Sequence, residues 1–555
     1  MSRFLAFAPL VLGVFVGVPS ALGGQVRPTV EAWREDLRFL AARLPAVHPD
    51  PFHHVSKEDF VAAVAELDRR IPQLEPHQIL IEFARLTALI REGHTGILVS
   101  RQPSGLLASL HGYPVRFHSF SDGLVVTAID TAWAAVAGHH VVRVGSVDAD
   151  EAFRRVGEII PADNPQWIRR HAPSHLAVAE VLHALGIAPS QTELSLTLAD
   201  AAGAERTITL TARPLSELTG YLNPLAEPPA RADVAFARKR DGPAPLWLRD
   251  QRNRYWVEFL PESHTLYLQI NVMQDQPAES LERFYTRALA LADSLNPQRL
   301  IIDLRQNNGG NNVALPLVHG LIRRPALDRD GTLFVLIGLG TVSAGQHLAT
   351  MLDRHTHAVF VGEPTSSRPN HYGVVGTFSL PNSRIFVWHS RLLVQDSDPG
   401  DFRPWHPPDI AAPLTSADYL EGRDPALEAV LAYRPLPPLV DSLDAAYSRG
   451  GLEAMRQAYR DLAPVYRATG RSTESDLNRM GYLLLGRGRP EDALEVFALN
   501  VQEHPDSFNV YDSLGDAQLR AGRRDAGLAS YRRSVEVNPG NAHAKRVLAA
   551  AGLNK

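Results

Sequence analysis

The chain has 555 residues, more than one hydrophobic core usually organises, so we expect several domains. Apolar residues make up 45% and charged residues 21%, which is typical of folded globular proteins. The 56 Lys and Arg residues against 61 Asp and Glu leave a net charge of -5 without a dense basic tract, which argues against a nucleic-acid partner. The absence of cysteine from the sequence excludes disulfides, a cysteine nucleophile and cysteine metal ligands.

Residues 1–24 have the pattern of a secretory signal peptide. Arg3 provides a positive end, residues 4–18 are uncharged and mostly apolar, and Ala21 and Gly23 place small residues before a cleavage site. The alternative is an uncleaved membrane anchor, because the uncharged run is about long enough to span a bilayer. We expect cleavage, no stable membrane span after it, and a periplasmic or secreted location.

Residues 28–100 predict an N-terminal helical region. Apolar residues recur there at helical spacing, first at Trp33, Leu37, Leu40 and Leu44 and then twice more before residue 90. Prolines separate the three periodic stretches, as expected of helix boundaries.

Residues 112–215 change to short strand patterns, with one helix pattern at 174–185. A strand, a turn at Gly138, a second strand, a turn at Gly145 and a helix start follow one another, and this order resembles a PDZ-like peptide-binding module. The resemblance implies that this β-rich insert presents an extended peptide. The alternative is a β-domain that only shields a site.

Residues 245–430 alternate strand and helix patterns. Strands are predicted at 265–272, 299–304, 333–339 and 358–361, with helices between them. This alternation predicts a layered α/β domain with parallel strand pairing, and the whole chain is predicted to be an α/β multidomain protein.

A proline-rich linker at 435–440 precedes a helical, repetitive segment at 441–555. Five pairs of like residues are each separated by 34 positions: Gly481 and Gly515, Gly488 and Gly522, Leu494 and Leu528, Phe497 and Tyr531, and Pro505 and Pro539. This period resembles tetratricopeptide repeats. The repeats are expected either to stabilise the protein or to dock a protein partner.

Ser343 is the first candidate for chemistry. It lies where a buried strand pattern turns into a helix pattern, so its hydroxyl faces the positive end of a helix, which stabilises developing negative charge. The alternative is that Ser343 only caps the helix.

Two further features strengthen the candidate. A buried strand pattern ends at the glycine pair Gly309 and Gly310, whose backbone can approach a ligand closely because it carries no side chains. The N–H groups of these two glycines, together with the N–H of Ala344, are predicted to form an oxyanion hole. His94, between a helix and a strand pattern, is the type of residue that acts as base for a serine nucleophile; alone, it is equally a structural histidine.

In chain order, "EGHT", "IIDLRQNNGG", "TVSAGQ" and "GEPTSSRP" resemble the family that contains the tricorn core protease and the C-terminal-processing peptidases. The resemblance covers about residues 30–430 and implies a crotonase-like β/α core beside the PDZ-like module. It also implies that Ser343 is the nucleophile, that Gly309, Gly310 and Ala344 belong to the oxyanion-hole segments, and that His94 is the base.

The sequence departs from the family pattern at two positions. Arg368 occupies the place of the lysine base of the processing branch, and arginine stays protonated, so a Ser–His mechanism is favoured. Gly93 stands where the tricorn branch has a serine before its histidine. The carboxylate that orients His94 is then expected to be Asp401 or, alternatively, Glu363.

These features predict an exported serine peptidase that cleaves peptides or unfolded proteins without a metal or cofactor. One alternative is a catalytically inactive binding protein of the same fold. The other is an α/β-hydrolase esterase, because "GTVSAG" is close to a nucleophile elbow with Thr341 in place of its first glycine, and His406 follows in chain order.

Overall fold

The computed structural model describes residues 28–99, 102, 110–221, 232–238, 244–435, 437–468 and 472–552. The predicted signal peptide at residues 1–24 lies outside the described residues, so export stays a prediction. Within the described ranges, none of the helices is long and apolar enough to pass through a membrane.

Three helices open the described part of the chain, as the apolar periodicity predicted: α1 (Val30–Val47), α2 (Lys57–Arg70) and α3 (Pro76–Ala88). The side chains of Thr29 and Ser56 accept backbone N–H groups at the start of the first two helices. The four predicted apolar positions of α1 are all buried, so this helix packs its apolar stripe against the rest of the region.

A seven-stranded antiparallel sheet follows the helices. Its strands are β2 (Val115–Phe120), β3 (Gly123–Asp130), β4 (His140–Val144), β5 (Val147–Asp148), β6 (Glu193–Ala199), β7 (Glu205–Thr211) and β9 (Val234–Phe236). Two short strands, β1 (His111–Gly112) and β8 (Arg213–Pro214), pair beside it. The helices between these strands are α4 (Ala149–Gly157), α5 (Pro165–His175) and α6 (Ala179–Ala184). The PDZ-like identity of this region stays a prediction.

The N-terminal helices and the seven-stranded sheet share one hydrophobic core. Leu40 of α1, Phe83 of α3 and Val126 of β3 belong to the same buried cluster, which also includes Leu380 and Val387 from a segment more than 250 positions later in the chain. The predicted regions 28–100 and 112–215 therefore do not have separate cores, and we expect neither to fold without the other.

The second half of the chain forms a six-stranded sheet with the order β10-β11-β12-β13-β14-β19. These strands are β10 (Tyr255–Leu260), β11 (Thr265–Ile270), β12 (Arg299–Asp303), β13 (Leu333–Ile337), β14 (Val359–Gly362) and β19 (Ile410–Ala411). All pairs are parallel except β10 with β11, so the predicted parallel α/β layering is present. The crotonase-like topology stays a prediction.

Helices cover both faces of this sheet, because alternate side chains of each strand point in opposite directions. Leu300 and Ile302 of β12 pack with helices on one face, and Ile301 packs on the other. The helices of this region are α7 (Leu281–Leu295), α8 (Leu315–Ile322), α9 (Ala344–His355), α10 (Ser416–Glu421) and α11 (Pro425–Ala432).

Two small hairpin-like sheets stand between β14 and β19. One pairs β15 (Asn370–Gly373) with β18 (Leu392–Gln395), and the other pairs β16 (Gly376–Ser379) with β17 (Phe386–His389). Gly96 pairs with Trp388 of β17 as an isolated antiparallel bridge, so these strands connect the N-terminal region to the six-stranded domain.

The described residues of the C-terminal part form the helical segments α12 (Leu439–Ala468), α13 (Glu474–Gly486), α14 (Pro490–Glu503), α15 (Phe508–Arg520), α16 (Arg524–Val537) and α17 (Ala542–Ala550). The first of them is broken at Gly450 and Gly451, and it begins at Leu439, inside the linker that was predicted to run to residue 440. A Cβ added at Gly481 would lie 2.5 Å from the Phe497 ring, and one added at Gly515 would lie 3.0 Å from Tyr531. Two helix pairs thus repeat one close glycine–aromatic contact with the predicted offset. Their identity as tetratricopeptide repeats stays a prediction.

Candidate active site

Ser343 lies at the junction of the loop after β13 and helix α9. Its φ is 54° and its ψ is -120°, a strained conformation for a residue with a side chain. Its hydroxyl makes no capping hydrogen bond in the described structure, which does not support the alternative that Ser343 serves only as a cap. Its backbone N–H donates to Ser367 Oγ at 3.2 Å, and Ser367 is almost fully buried. Ser367 therefore holds the backbone of the candidate nucleophile.

Gly309 lies directly against Ser343. A Cβ added at Gly309 would be 2.8 Å from the Ser343 Cβ and 3.2 Å from its Oγ, and the φ of Gly309 is 91°, so a side chain fits neither the space nor the backbone. The N–H of Gly309 donates to Asn307 Oδ1 at 3.0 Å. Because the Gly309 N–H already has an acceptor within the protein, Gly310 and Ala344 are better candidates to donate hydrogen bonds to a ligand.

Asn307 connects the two loops that form this corner. Its buried side-chain NH2 group donates to the Ile270 backbone carbonyl oxygen at 2.8 Å. The backbone carbonyl oxygen of Asn307 accepts the N–H of Val342 at 3.1 Å. The loop with the glycine pair and the loop that leads to Ser343 are thus joined by hydrogen bonds on the protein's interior side. This arrangement fixes Gly309 and Ser343 relative to each other.

His94 is backed by Glu92. His94 Nδ1 lies 3.3 Å from Glu92 Oε1, and the same oxygen accepts the His94 backbone N–H at 2.6 Å. Glu92 is only 2% exposed, and its other oxygen accepts a hydrogen bond of 2.9 Å from Ser390 Oγ and lies 3.7 Å from His48 Nε2. Burial opposes ionisation of Glu92, but its interactions with His48 and His94 prevail and hold its pKa well below the usual range.

The other side of the His94 ring faces aromatic residues. The ring centres of Trp167 and His371 lie 5.6 Å and 5.5 Å from that of His94. Burial and the neighbouring His94 lower the pKa of His371 to about 4, so His371 is neutral at physiological pH. Its Nδ1 lies 3.1 Å from the Arg368 carbonyl oxygen, which makes Nδ1 the protonated nitrogen of the neutral ring.

The Trp167 contact also explains the glycine before His94. A Cβ at Gly93 would lie 3.0 Å from the Trp167 ring, tighter than most such contacts. The serine expected from the tricorn pattern at this position would displace Trp167, so the departure from the pattern follows from the packing.

Ser343 and His94 line one cleft of about 1430 Å³, together with Gly310. Trp167 and Arg170 of α5 line the same cleft, so the N-terminal half of the chain closes a site built on the six-stranded domain. Among the described residues, no hydrogen bond joins the side chains of Ser343 and His94. The predicted pair thus shares a cleft, and direct hydrogen bonding between the two groups remains a prediction for the complex with substrate.

The two carboxylates predicted to orient His94 lie elsewhere. Asp401 accepts hydrogen bonds from Arg403 Nη2 at 2.8 Å and from Ser397 Oγ at 2.7 Å, and Glu363 faces Arg169 at 3.4 Å. Within the described structure neither contacts His94. These two assignments are corrected by Glu92, which occupies the position behind the imidazole.

The residues of the alternative mechanisms do not line the Ser343 cleft as described. The guanidinium of Arg368 bonds to the Phe402 carbonyl oxygen at 3.4 Å, and His406 Nε2 lies 3.2 Å from Asp353. Thr341 donates its hydroxyl to the Leu304 carbonyl oxygen at 2.8 Å and so holds the loop before Ser343. This arrangement does not favour a nucleophile elbow served by His406.

No family model and no curated protein matches the sequence. Among solved structures, the chain is similar to mature CPAF complexed with lactacystin, with 14% identity over 72% of this chain and 97% of that chain and a TM-score of 0.50. It is also similar to the photosystem II D1 C-terminal processing protease, with 16% identity over 72% and 99% of the two chains and a TM-score of 0.31. For the tricorn protease the identity is 14% over 72% and 36%, with a TM-score of 0.32.

The structural similarity to CPAF, with 14% sequence identity and a TM-score of 0.50, shows that the two chains share a fold. The resemblance to the processing-peptidase family, predicted from the order of the motifs, is thereby confirmed at the level of the fold.

Proposed function

We propose that this protein is a serine peptidase that cleaves peptides or unfolded proteins by acyl transfer from Ser343 with His94 as base. The observation that carries the proposal is the placement of Ser343, His94 and Gly310 in one cleft, with the ionised Glu92 behind His94. The shared fold with CPAF supports a peptidase, and the strained backbone of Ser343 is typical of functional positions.

The first step is attack on the substrate carbonyl. Glu92 takes the hydrogen bond from His94 Nδ1, which leaves Nε2 unprotonated and available as the base. His94 Nε2 accepts the proton of the Ser343 hydroxyl as Oγ bonds to the carbonyl carbon. The resulting oxyanion is proposed to accept hydrogen bonds from the N–H groups of Gly310 and Ala344, each worth on the order of 3 kcal/mol in such sites.

The second half of the reaction reverses these roles. The imidazolium of His94 gives its proton to the leaving amine, and the peptide bond breaks to leave an acyl ester on Ser343. Water then enters, loses a proton to His94 and attacks the ester carbonyl carbon. As the bond from that carbon to Ser343 Oγ breaks, the imidazolium returns its proton to Oγ, which restores the serine and releases the carboxyl product. The buried carboxylate of Glu92 stabilises the imidazolium in both halves.

The test is reaction with a fluorophosphonate probe followed by peptide mapping. We expect one modified residue, Ser343, and we expect His94→Ala to abolish labelling and hydrolysis of a casein-type substrate. Arg368→Ala is expected to leave turnover largely intact, because arginine cannot act as the base. A protein that binds peptide but neither reacts with the probe nor hydrolyses substrate would instead be the inactive binding protein of the same fold.

We further propose export through the N-terminal segment, a peptide-presenting role for the sheet at residues 112–215 and a protein partner for the repeats. Export is supported by the sequence pattern of residues 1–24 and is tested by N-terminal sequencing of the protein recovered outside the cytoplasm. Because the sheet shares its core with the N-terminal helices, its role is tested by point substitutions on the edge of β2 or β7 rather than by deletion.

A further inference from the structure

A second groove opens beside the candidate active site. It has a volume of about 480 Å³ and is lined by Arg43, Val47, Gly376, Thr377, His389 and Arg391. Arg391 also lines the cleft that contains Ser343. The two cavities therefore share Arg391 as a lining residue, and we call the second one the arginine groove.

The arginine groove carries positive charge without a matching carboxylate among the residues that line it. None of the described residues that line the Ser343 cleft or the arginine groove is Asp or Glu. The side chains of Arg43 and Arg391 form no ion pair with any described residue, whereas Arg287, for example, forms a two-bonded pair with Glu279. Unneutralised positive charge in a groove attracts anionic ligands.

The two guanidinium groups act on the same point. Burial lowers the pKa of His389, and the positive charges of Arg43, His48 and Arg391 lower it further. His389 is 8% exposed and lines the arginine groove, so the charges of Arg43 and Arg391 both act on one buried side chain of this groove.

The groove depends on a glycine. A Cβ added at Gly376 would lie 2.5 Å from the His389 ring and 3.1 Å from Arg391 Cδ. Only the absence of a side chain at this position lets His389 and Arg391 lie together against strand β16. The arrangement of the groove is therefore a consequence of the sequence and not only of two long, mobile side chains.

We propose that the arginine groove binds an acidic side chain, aspartate or glutamate, of a peptide substrate whose scissile bond lies at Ser343. The inference rests on the proposed peptidase function and specifies its substrate class: polypeptides with a carboxylate a few residues from the cleavage point. Guanidinium groups bind carboxylates through paired, charge-assisted hydrogen bonds, and Arg43 and Arg391 offer two such groups from different parts of the chain.

The experiment measures binding to full-length Ser343→Ala protein, which removes turnover from the readout. Fluorescent peptides with amidated carboxyl ends are compared in pairs that differ only by Glu or Gln at one position, and that position is moved along the peptide. At low salt we expect one position at which the Glu peptide binds roughly fivefold more tightly, with the preference reduced at high salt.

Charge removal then locates the site. Arg43→Gln or Arg391→Gln in the Ser343→Ala background is expected to abolish most of the preference for Glu over Gln. Arg38→Gln is the matched control, because Arg38 is exposed on the same helix α1 but does not line the groove. In addition, the imidazole signal of His389, assigned by His389→Gln, should titrate at a higher pH when the Glu peptide is bound.

Equal binding of the Glu and Gln peptides at every position would overturn the inference, as would a preference that survives both arginine substitutions. A preference seen only for peptides with a free carboxyl end would also overturn it, because the bound carboxylate would then be the chain terminus. Glu selection in Ser343→Ala protein, combined with no hydrolysis by the parent protein, would contradict the proposed function and leave this binding site standing.

Discussion

The Nδ1 atom of His94 lies 3.3 Å from Glu92 Oε1, although a single glycine separates the two residues in the chain. Arg91, directly before this pair, adopts a left-handed conformation with φ of 54°, and the Glu92 carboxylate folds back to accept the His94 N–H. The proposed base and the carboxylate behind it therefore come from one short segment of the chain.

This pair yields the first prediction. Glu92→Gln keeps the size of the side chain but removes the negative charge that stabilises the His94 imidazolium, so kcat should fall on the order of a hundredfold or more with a smaller change in KM. Glu180→Gln is the matched control, because Glu180 is also a buried carboxylate that pairs with a histidine, His111, at 3.0 Å. Comparable losses of kcat in both variants would mean that the effect of Glu92 is on folding alone.

The sequence predicted the parallel sheet, because strand–helix alternation is a local pattern. From the order of the motifs it also predicted that Ser343 and His94 meet within hydrogen-bond reach; the two residues line one cleft, and the hydrogen bond between them stays a prediction. It did not identify Glu92. Residues two apart do not face each other in a helix, and the left-handed turn at Arg91 has no signal that sequence periodicity detects. The contacts of Ser367 and Trp167 with the site join segments far apart in the chain, which local patterns do not report.

A second prediction concerns Ser367, whose hydroxyl accepts the N–H of the strained Ser343. Ser367→Ala removes this acceptor and should lower kcat roughly tenfold, because a buried N–H then loses its partner. Ser366→Ala is the control, since the Ser366 hydroxyl instead donates to the Leu339 carbonyl oxygen at 2.8 Å. The rate of fluorophosphonate labelling reports the reactivity of Ser343 directly. Equal labelling rates in the two variants would remove Ser367 from the proposed positioning role.

A third prediction concerns Gly93, which lies under the Trp167 ring. Gly93→Ser restores the residue of the tricorn pattern but brings its Cβ to about 3.0 Å from that ring, so we expect a loss of about 1–3 kcal/mol in the free energy of unfolding. We also expect lower turnover, because Trp167 packs against His94. Denaturant titration and substrate hydrolysis measure the two effects. An increase in turnover would show that the missing serine limits the parent protein.

A fourth prediction follows from Asp163, a half-buried carboxyl near Glu92 and His94. Burial, followed by the charge of Glu92, raises the pKa of Asp163 to about 7. The folded state then holds a proton that the unfolded state has lost between about pH 4 and 7, so this group reduces stability as pH rises through that range. Asp163→Asn should raise the Tm at pH 8 relative to the parent protein and have little effect at pH 4. A gain of the same size at both pH values would contradict the assigned pKa.

The last prediction concerns the boundary before the C-terminal helices. The hydrophobic clusters of residues 439–551 contain no residue from before the linker, and the clusters of the preceding domains end at Tyr433. Pro435 packs against Gly331, so a truncation directly after Pro435 keeps the last contact of the six-stranded domain. We expect this shorter protein to be soluble, to unfold with an unchanged Tm for its main transition, and to react with the fluorophosphonate probe at Ser343 at the parent rate.

Gly481→Ala in the full chain should destabilise only the helical segment, because its Cβ would meet the Phe497 ring at 2.5 Å. If the truncated protein were insoluble, or if Gly481→Ala lowered the labelling rate at Ser343, the repeats would be part of the peptidase fold and not an independent unit.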